Sequence, residues 1–172
     1  MSGEKELQKA YESLLGQHFE EAVEWFQRAI EQDPGNADYY YKLSITYARN
    51  GQVEEALDYA RKALSLAPDD AAYGIHLRVL EAKQLRFEAE RLLAAGGDEA
   101  LAASYLREAL RLDPLEESAY VLLASACAGM HEYQDALEAL RELLELDPEH
   151  ATARALIEQY KQRFAQYLGE KT

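Results

Sequence analysis

The sequence predicts an all-α protein, a right-handed superhelical solenoid of four helix-turn-helix repeats with a C-terminal capping helix. Three sets of positions recur together along the 172 residues. The four prolines are separated by 34, 46 and 34 residues, and one column of alanines and one of Ile or Leu repeat at the same separations. These columns are Pro34, Pro68, Pro114 and Pro148; Ala22, Ala56, Ala102 and Ala136; and Ile30, Leu64, Leu110 and Leu144. Their agreement indicates four repeats, with about 12 additional residues in the third.

The second repeat, about 37–70, shows the unit most clearly. Helical spacing places one set of side chains on a common face of each of its two helices. The sets are Tyr40, Leu43, Ser44 and Tyr47 for the first helix, and Ala56, Ala60, Ala63 and Leu64 for the second. A turn at Asn50-Gly51 separates the helices, and Pro68 ends the second helix because it has no N–H to donate.

This pattern resembles the tetratricopeptide repeat, a 34-residue helix-turn-helix unit with a signature of small, aromatic and proline positions. Ser44 stands where that family usually has Gly, and Ala60 where it usually has Phe. The resemblance implies that each helix pair buries its apolar faces by stacking on the next pair. It also implies a single domain over residues 1–172, with repeats at about 4–36, 37–70, 71–116 and 117–150.

The third repeat departs from the family length. No proline interrupts the residues between Asp70 and Ala95, so we predict one elongated first helix of about 25 residues, near 38 Å long. The alternative is a kink near Gly74 that folds the additional residues back. Gly96-Gly97 is predicted to end that helix as a flexible C-cap.

The last predicted helix, about 150–168, is the capping helix of the solenoid. Four apolar side chains at helical spacing are expected to form its buried stripe. They are Leu156, Tyr160, Phe164 and Leu168.

Composition limits the classes of partner. The net charge of −14 argues against nucleic acid and against anionic membrane surfaces, both of which require basic residues. The first residues are too charged for a signal peptide, and no apolar run approaches the ~18 residues of a membrane span. We therefore expect a cytoplasmic protein whose acidity serves solubility or attracts a basic partner.

The sequence shows no catalytic constellation, so we expect no enzyme activity, no cofactor and no metal. Cys127 is expected in the core, and neither a CxxC nor an HxxxH spacing occurs. His18 and His131 are expected in equivalent inter-helix turns, so repeat geometry explains them better than a metal site. Paired acids such as Glu54-Glu55 open second helices, where they complement the helix dipole.

The resemblance implies a non-enzymatic scaffold or adaptor that binds a partner segment in a concave groove lined by the first helices. The groove positions are Tyr41, Ile45 and Arg49 in the second repeat and Val121 and Ser125 in the fourth. The alternative for each apolar position is ordinary packing against the next repeat. The Lys, Asn and Arg set with which some family members bind acidic chaperone tails is absent.

The elongated helix has a second apolar side. Tyr73, Leu77 and Leu80 share one face and can pack on the second repeat, whereas Ile75 and Val79 lie roughly opposite. A helix that is apolar on both sides needs neighbours on both sides. We therefore include Ile75 and Val79 among the candidate protein-binding residues.

Two other functions remain open. One is a client chaperone of the kind that serves bacterial secretion systems, which the resemblance also allows. The other is a self-assembling protein that forms a homodimer along the elongated helix. In each case the partner is a protein or peptide, of apolar or basic character.

Overall fold

The computed structural model describes residues 3–170, and these form nine α-helices without a strand. The helices are α1 (Glu4–Leu15), α2 (Phe19–Gln32), α3 (Ala37–Arg49), α4 (Val53–Leu66), α5 (Ala71–Ala94), α6 (Glu99–Leu112), α7 (Glu117–Gly129), α8 (Tyr133–Leu146) and α9 (Ala151–Glu170). Helices α1 to α8 form four successive pairs. The predicted all-α repeat architecture, with an elongated first helix in the third pair and a final single helix, is confirmed.

Internal contacts group the chain into two compact units, one ending at Glu81 and the other beginning at Ala82. The first unit contains α1 to α4 and the first part of α5. The second contains the rest of α5 and α6 to α9. The boundary falls within α5, which is one uninterrupted helix of 24 residues.

The core of the first unit forms between helix pairs. Phe26 of α2 is fully buried with Ala10 of α1 and Leu43 of α3. A second cluster joins α4 to α5, where Leu80 is buried against Leu57, with Leu77 partly buried beside it. The prediction that the Leu77 and Leu80 face of α5 packs on the second repeat is therefore correct.

The core of the second unit is a single cluster of mostly small and aliphatic side chains from α5 to α9. Ala89 of α5 lies against α6 residues such as Leu106, and α8 contributes Leu140 and Leu143. Cys127 is buried in the same cluster. Many alanines let neighbouring helices approach closely, which is why the alanine column is so regular in the sequence.

The first helix of every pair ends in the same hydrogen-bonded motif. At the end of α5, Gly97 N–H donates to the Leu92 carbonyl at 2.9 Å and Gly96 N–H donates to the Leu93 carbonyl at 3.1 Å. This is the Schellman motif, which needs one residue in the left-handed conformation. Those residues are Gln17 (φ 60°), Gly51 (φ 78°), Gly96 (φ 65°) and His131 (φ 61°). His18 and His131 lie in equivalent inter-helix turns, as predicted, but His131 takes the left-handed position whereas His18 follows Gln17, which takes it in the first turn.

The second helix of every pair ends before proline. Asp33, Ala67, Asp113 and Asp147 are the C-caps of α2, α4, α6 and α8. Each has a φ between −140° and −126°, the extended backbone that a following proline imposes. The proline column thus marks four equivalent helix ends.

Three of the four residues of the predicted α9 stripe face the core, since Tyr160 is buried and Leu156 and Phe164 are partly buried against it. Ala153, Ile157 and Tyr160 are buried, and Phe164 and Tyr167 pack beside them. Leu168 is 52% exposed, so it does not belong to the buried stripe. The stripe follows Ile157 because its side chain lies in register with Tyr160 and Phe164 at spacings of three and four residues.

Candidate functional site

The predicted α3 surface consists of Tyr41, Ile45 and Arg49, spaced four residues apart. Tyr41 packs against α5, with its ring 4.7 Å from the Tyr73 ring and 5.2 Å from the His76 ring. Ile45 is half-buried and Arg49 is exposed. Packing against α5, the first helix of the next repeat, therefore explains the aromatic residue at position 41. Ile45 and Arg49 become progressively more exposed along α3.

A buried hydrogen-bond chain fixes this side of α5 to the second pair. The Ser44 hydroxyl lies 2.7 Å from the Ala56 carbonyl and 2.8 Å from His76 Nε2. Because a carbonyl only accepts, Ser44 donates its single hydrogen to Ala56, so His76 Nε2 carries a hydrogen and donates it to Ser44. Ser44, which replaces the family's usual Gly, thereby joins α3, α4 and α5.

The opposite side of α5 in the first unit carries Ile75 and Val79. Ile75 is 52% exposed and Val79 is half-buried. This part of α5 has aliphatic side chains on its outer side as well as on its packed side, and one of them, Ile75, is in contact with solvent.

A cleft in the second unit contains Val121. It has a volume of about 330 Å³ and lies between α5, α7 and the start of α9; we call it the α5–α7 cleft. Its lining residues are Arg86, Glu90, Glu117, Ser118, Val121, Leu122 and His150. Val121 and Leu122 are half-buried and provide its apolar surface.

Arg86 is the most buried charge in the α5–α7 cleft. Its side chain is 14% exposed, Nη1 donates to Glu90 at 2.8 Å, and Nε lies 3.4 Å from Glu116 Oε1. Nε forms no hydrogen bond with the described residues, because its N–H group and Glu116 Oε1 do not have hydrogen-bond geometry at this distance. Two carboxylates thus neutralise Arg86, and Glu117 gives the cleft an acidic edge.

His150 closes one end of the cleft. Its Nδ1 accepts a hydrogen bond from Ala153 N–H at 3.2 Å, which caps α9. An imidazole that accepts through Nδ1 carries its hydrogen on Nε2. His150 is therefore a capping residue of α9, and it also lines the cleft.

Ser125, the other predicted residue of α7, is exposed one turn beyond Val121. One further turn on, Gly129 faces α6, where an added Cβ would lie 2.2 Å from Glu99 Oε1. Val121, Ser125 and Gly129 lie one turn apart on the same face of α7. Val121 lines the cleft, Ser125 is exposed to solvent, and Gly129 lies close to Glu99 of α6.

Of the seven lining residues, sequence reasoning named Val121 and missed the other six, which are Arg86, Glu90, Glu117, Ser118, Leu122 and His150. Ser118 could have been found, because it precedes Val121 by three residues and shares its helix face. Arg86 could not have been found in this way. The additional residues of the third repeat mean that it has no equivalent position in the other repeats.

One cluster in the second unit has the residue types of a metal site. Ligand atoms of Cys127, Glu132 and Asp135 lie within 4.8 Å of one another. Arg107 Nη2 lies 3.7 Å from Cys127 Sγ and 3.3 Å from Asp135 Oδ2, so a guanidinium already supplies the positive charge. Burial raises the pKa of the Cys127 thiol, which disfavours the thiolate that binds metals.

These features define a class of protein, a helical-repeat scaffold whose first helices carry the candidate binding surfaces. A family model described as tetratricopeptide repeat matches residues 7–36, and two others of that description match residues 25–58 and 118–150. The chain belongs to the tetratricopeptide repeat family. That fold serves protein–protein interaction and is generally non-enzymatic.

Solved structures of two proteins share this fold. MamA from Desulfovibrio magneticus RS-1 is 18% identical over 98% of this chain and 90% of that chain, with a TM-score of 0.58. Another MamA structure is 18% identical over 99% and 92%, with a TM-score of 0.55. YrrB, described as having an unusual peptide-binding site, is 22% identical over 93% and 78%, with a TM-score of 0.50. At these identities the likeness concerns the fold.

The comparison with curated proteins gives no match. Among the helices of residues 3–170, none is long and apolar enough to cross a membrane.

Proposed function

We propose that the chain is a non-enzymatic scaffold or adaptor that holds a segment of another protein, with the α5–α7 cleft as its principal contact. The observation that carries this proposal is the cleft itself, because it combines half-buried Val121 and Leu122 with the acidic edge of Glu117. A partner segment that fits it presents an apolar side chain beside a basic one.

The first unit supplies a second contact in this proposal. Ile45 and Arg49 of α3 form this contact, with one half-buried aliphatic side chain beside an exposed cation. Ile75 and Val79 lie on the side of α5 away from α3 and are a separate candidate surface. Tyr41 supports the α3 contact through its packing on Tyr73 and His76. A Tyr41 substitution would therefore disturb the fold as well as binding.

The test uses a partner identified by pull-down and mass spectrometry, and compares its Kd for two variants by titration. Ser118→Arg places a large side chain at an exposed position of the cleft lining. Ser104→Arg makes the same change on exposed α6, outside the cleft lining. We expect Ser118→Arg to weaken binding at least about tenfold and Ser104→Arg to leave it unchanged. Equal affinities for both variants would remove the cleft as the contact.

The two alternative functions give different observations. A client chaperone would be isolated with one dedicated client, and a self-assembling protein would show a mass that rises with concentration in light scattering. A cytoplasmic location is part of this proposal.

A further inference from the structure

A larger groove runs along α8 in the second unit, apart from the α5–α7 cleft. It has a volume of about 990 Å³, and none of its lining residues lines the α5–α7 cleft. We call it the α8 groove. Its lining residues are Pro114, Tyr120, Gln134, Leu137, Glu138, Arg141, Glu142, Glu145, Leu146 and Phe164.

The groove follows one face of α8 along nearly its whole length. The α8 residues that line it run from Gln134 to Leu146 at spacings of three and four, which places them on one side of the helix. At 1.5 Å per residue this face is about 18 Å long. It therefore extends over about three helical turns.

The floor of the α8 groove is apolar. Leu137 and Tyr120 are each 6% exposed, Phe164 of α9 is half-buried, and Leu146 at the far end is 42% exposed. Tyr120 is held in place by a hydrogen bond from its hydroxyl to the Pro114 carbonyl at 3.2 Å.

The walls of the groove are acidic. Glu138, Glu142 and Glu145 line it with Arg141 as the only cation among the lining residues. Within the described chain, none of these three carboxylates forms an ion pair within 4.0 Å. Glu138 and Glu142 also line an adjoining cavity of about 360 Å³. We call Glu138, Glu142 and Glu145 the acidic ridge; it lies between the groove and this cavity.

The negative charges of the acidic ridge affect the pKa of Tyr120 in the groove floor. Burial raises the pKa of Tyr120, and Glu142, Asp113 and Glu145 raise it further. This agrees with a net negative potential over the apolar floor, where three carboxylates stand against one guanidinium in the lining.

Apart from Pro114, the lining of the groove is made of side chains on helices, so it offers no strand edge to an extended peptide. An extended segment would leave its own backbone N–H and C=O groups unpaired, whereas a helix satisfies them internally. We propose that the α8 groove binds an amphipathic helix of a partner protein, whose apolar face lies on Leu137, Leu146 and Phe164 and whose lysines or arginines pair with Glu138, Glu142 and Glu145. This proposal stands independently of the function proposed for the α5–α7 cleft.

The test uses a synthetic probe peptide of 18 residues, labelled with fluorescein, with Leu at helical i, i+3 and i+4 spacing and Lys elsewhere. Binding to the full chain is measured by fluorescence anisotropy in about 150 mM NaCl, where surface charges beyond about 8 Å are screened. A scrambled peptide of the same composition has no apolar face. We expect the amphipathic peptide to bind at least tenfold more tightly than the scrambled one.

Variants locate the binding on the chain. The double variant Glu138→Gln and Glu142→Gln removes two charges four residues apart on α8, and Glu20→Gln with Glu24→Gln does the same on exposed α2. Leu146→Asp alters the exposed end of the floor. We expect the α8 double variant and Leu146→Asp each to weaken binding at least tenfold, with the α2 double variant unchanged. Circular dichroism verifies that each variant is folded.

Three results would overturn the proposal. The scrambled peptide could bind as tightly as the amphipathic one, or the α2 variant could lose as much affinity as the α8 variant; both would mean general charge attraction. Sedimentation could instead show a dimer that Leu146→Asp dissociates, which would make a second copy the occupant.

Discussion

Four residues adopt the left-handed conformation at the ends of the first helices, and two of them are not glycine. Gln17 and His131 stand where Gly51 and Gly96 occupy the equivalent positions. A left-handed conformation costs a residue with a Cβ roughly 1–2 kcal/mol. At His131, ring contacts offset this cost, because the imidazole stacks on Tyr167 at 5.0 Å.

Gln17 has no comparable compensation among the ring contacts and ion pairs of its turn, so Gln17→Gly is expected to stabilise the chain. Relief of the left-handed strain outweighs the greater unfolded-state freedom of glycine, for a net gain of about 0.5–1 kcal/mol. Urea denaturation measures the free energy of unfolding, and Gln17→Ala is the control that should show no gain. A Gln17→Gly variant no more stable than wild type would contradict this reading of the turn.

Cys127 gives a pH-dependent prediction. Burial raises its pKa, while nearby Arg107 partly opposes this effect. The fold thus favours the neutral thiol, so its contribution is fully present below the unfolded pKa of about 8.5 and is lost as pH rises through the raised folded value. The free energy of unfolding should fall more steeply above pH 8.5 in wild type than in Cys127→Ala.

A thiol reagent provides an independent check of the same feature. The native chain should react with it at least about tenfold more slowly than the unfolded chain, because only an accessible thiolate is nucleophilic. Equal rates in the two states would show that Cys127 is not protected.

At the scale of the element, α9 protects the last helix pair. Tyr160 is 5% exposed, and Phe164 and Tyr167 lie 5.7 and 5.8 Å from the Tyr133 ring. Tyr160→Ala should destabilise the second unit by about 3 kcal/mol, because a large buried aromatic leaves a cavity. Hydrogen exchange should quicken in α7 and α8, whereas the exposed Gln166→Ala control should change neither stability nor exchange. Unchanged protection in Tyr160→Ala would mean that α9 does not stabilise its neighbours.

Helix α5 shows how far sequence reasoning reached for an element. Its length and its Gly96-Gly97 end could be predicted because proline and glycine act locally on the backbone. The face that meets α3 and α4 followed from periodicity. The position of Arg86 between Glu90 and Glu116 depends on side chains from elsewhere in the fold, so no local pattern reveals it.

At the scale of the whole molecule, regular columns of small residues and prolines predicted the helix pairs, because equivalent helices bury equivalent positions. The same regularity predicted which side of each first helix faces the groove. It did not predict which side chains on that side are exposed. It could not show that Tyr41 is covered by Tyr73 and His76 while Ser125 remains exposed. Binding surfaces depend on which side chains the fold leaves uncovered, and that is decided by contacts distant in sequence.

The net charge of −14 also acts at this scale. It favours basic partners through long-range attraction, but it gives no position on the surface. Part of that charge lies beside apolar side chains of the second unit, with Glu117 near Val121 and Leu122 and with three glutamates along the apolar floor of the α8 groove. Attraction and hydrophobic contact can act together there.

The central claim, that the α5–α7 cleft holds a protein partner, is tested most directly by photo-crosslinking. A benzoylphenylalanine residue replaces Ser118 in the cleft lining or Ser104 on exposed α6, and adducts formed in cells that express the chain are identified by mass spectrometry. We predict a discrete protein adduct from position 118 and none of that mass from position 104. No adduct from position 118, or the same adduct from both positions, would contradict the claim.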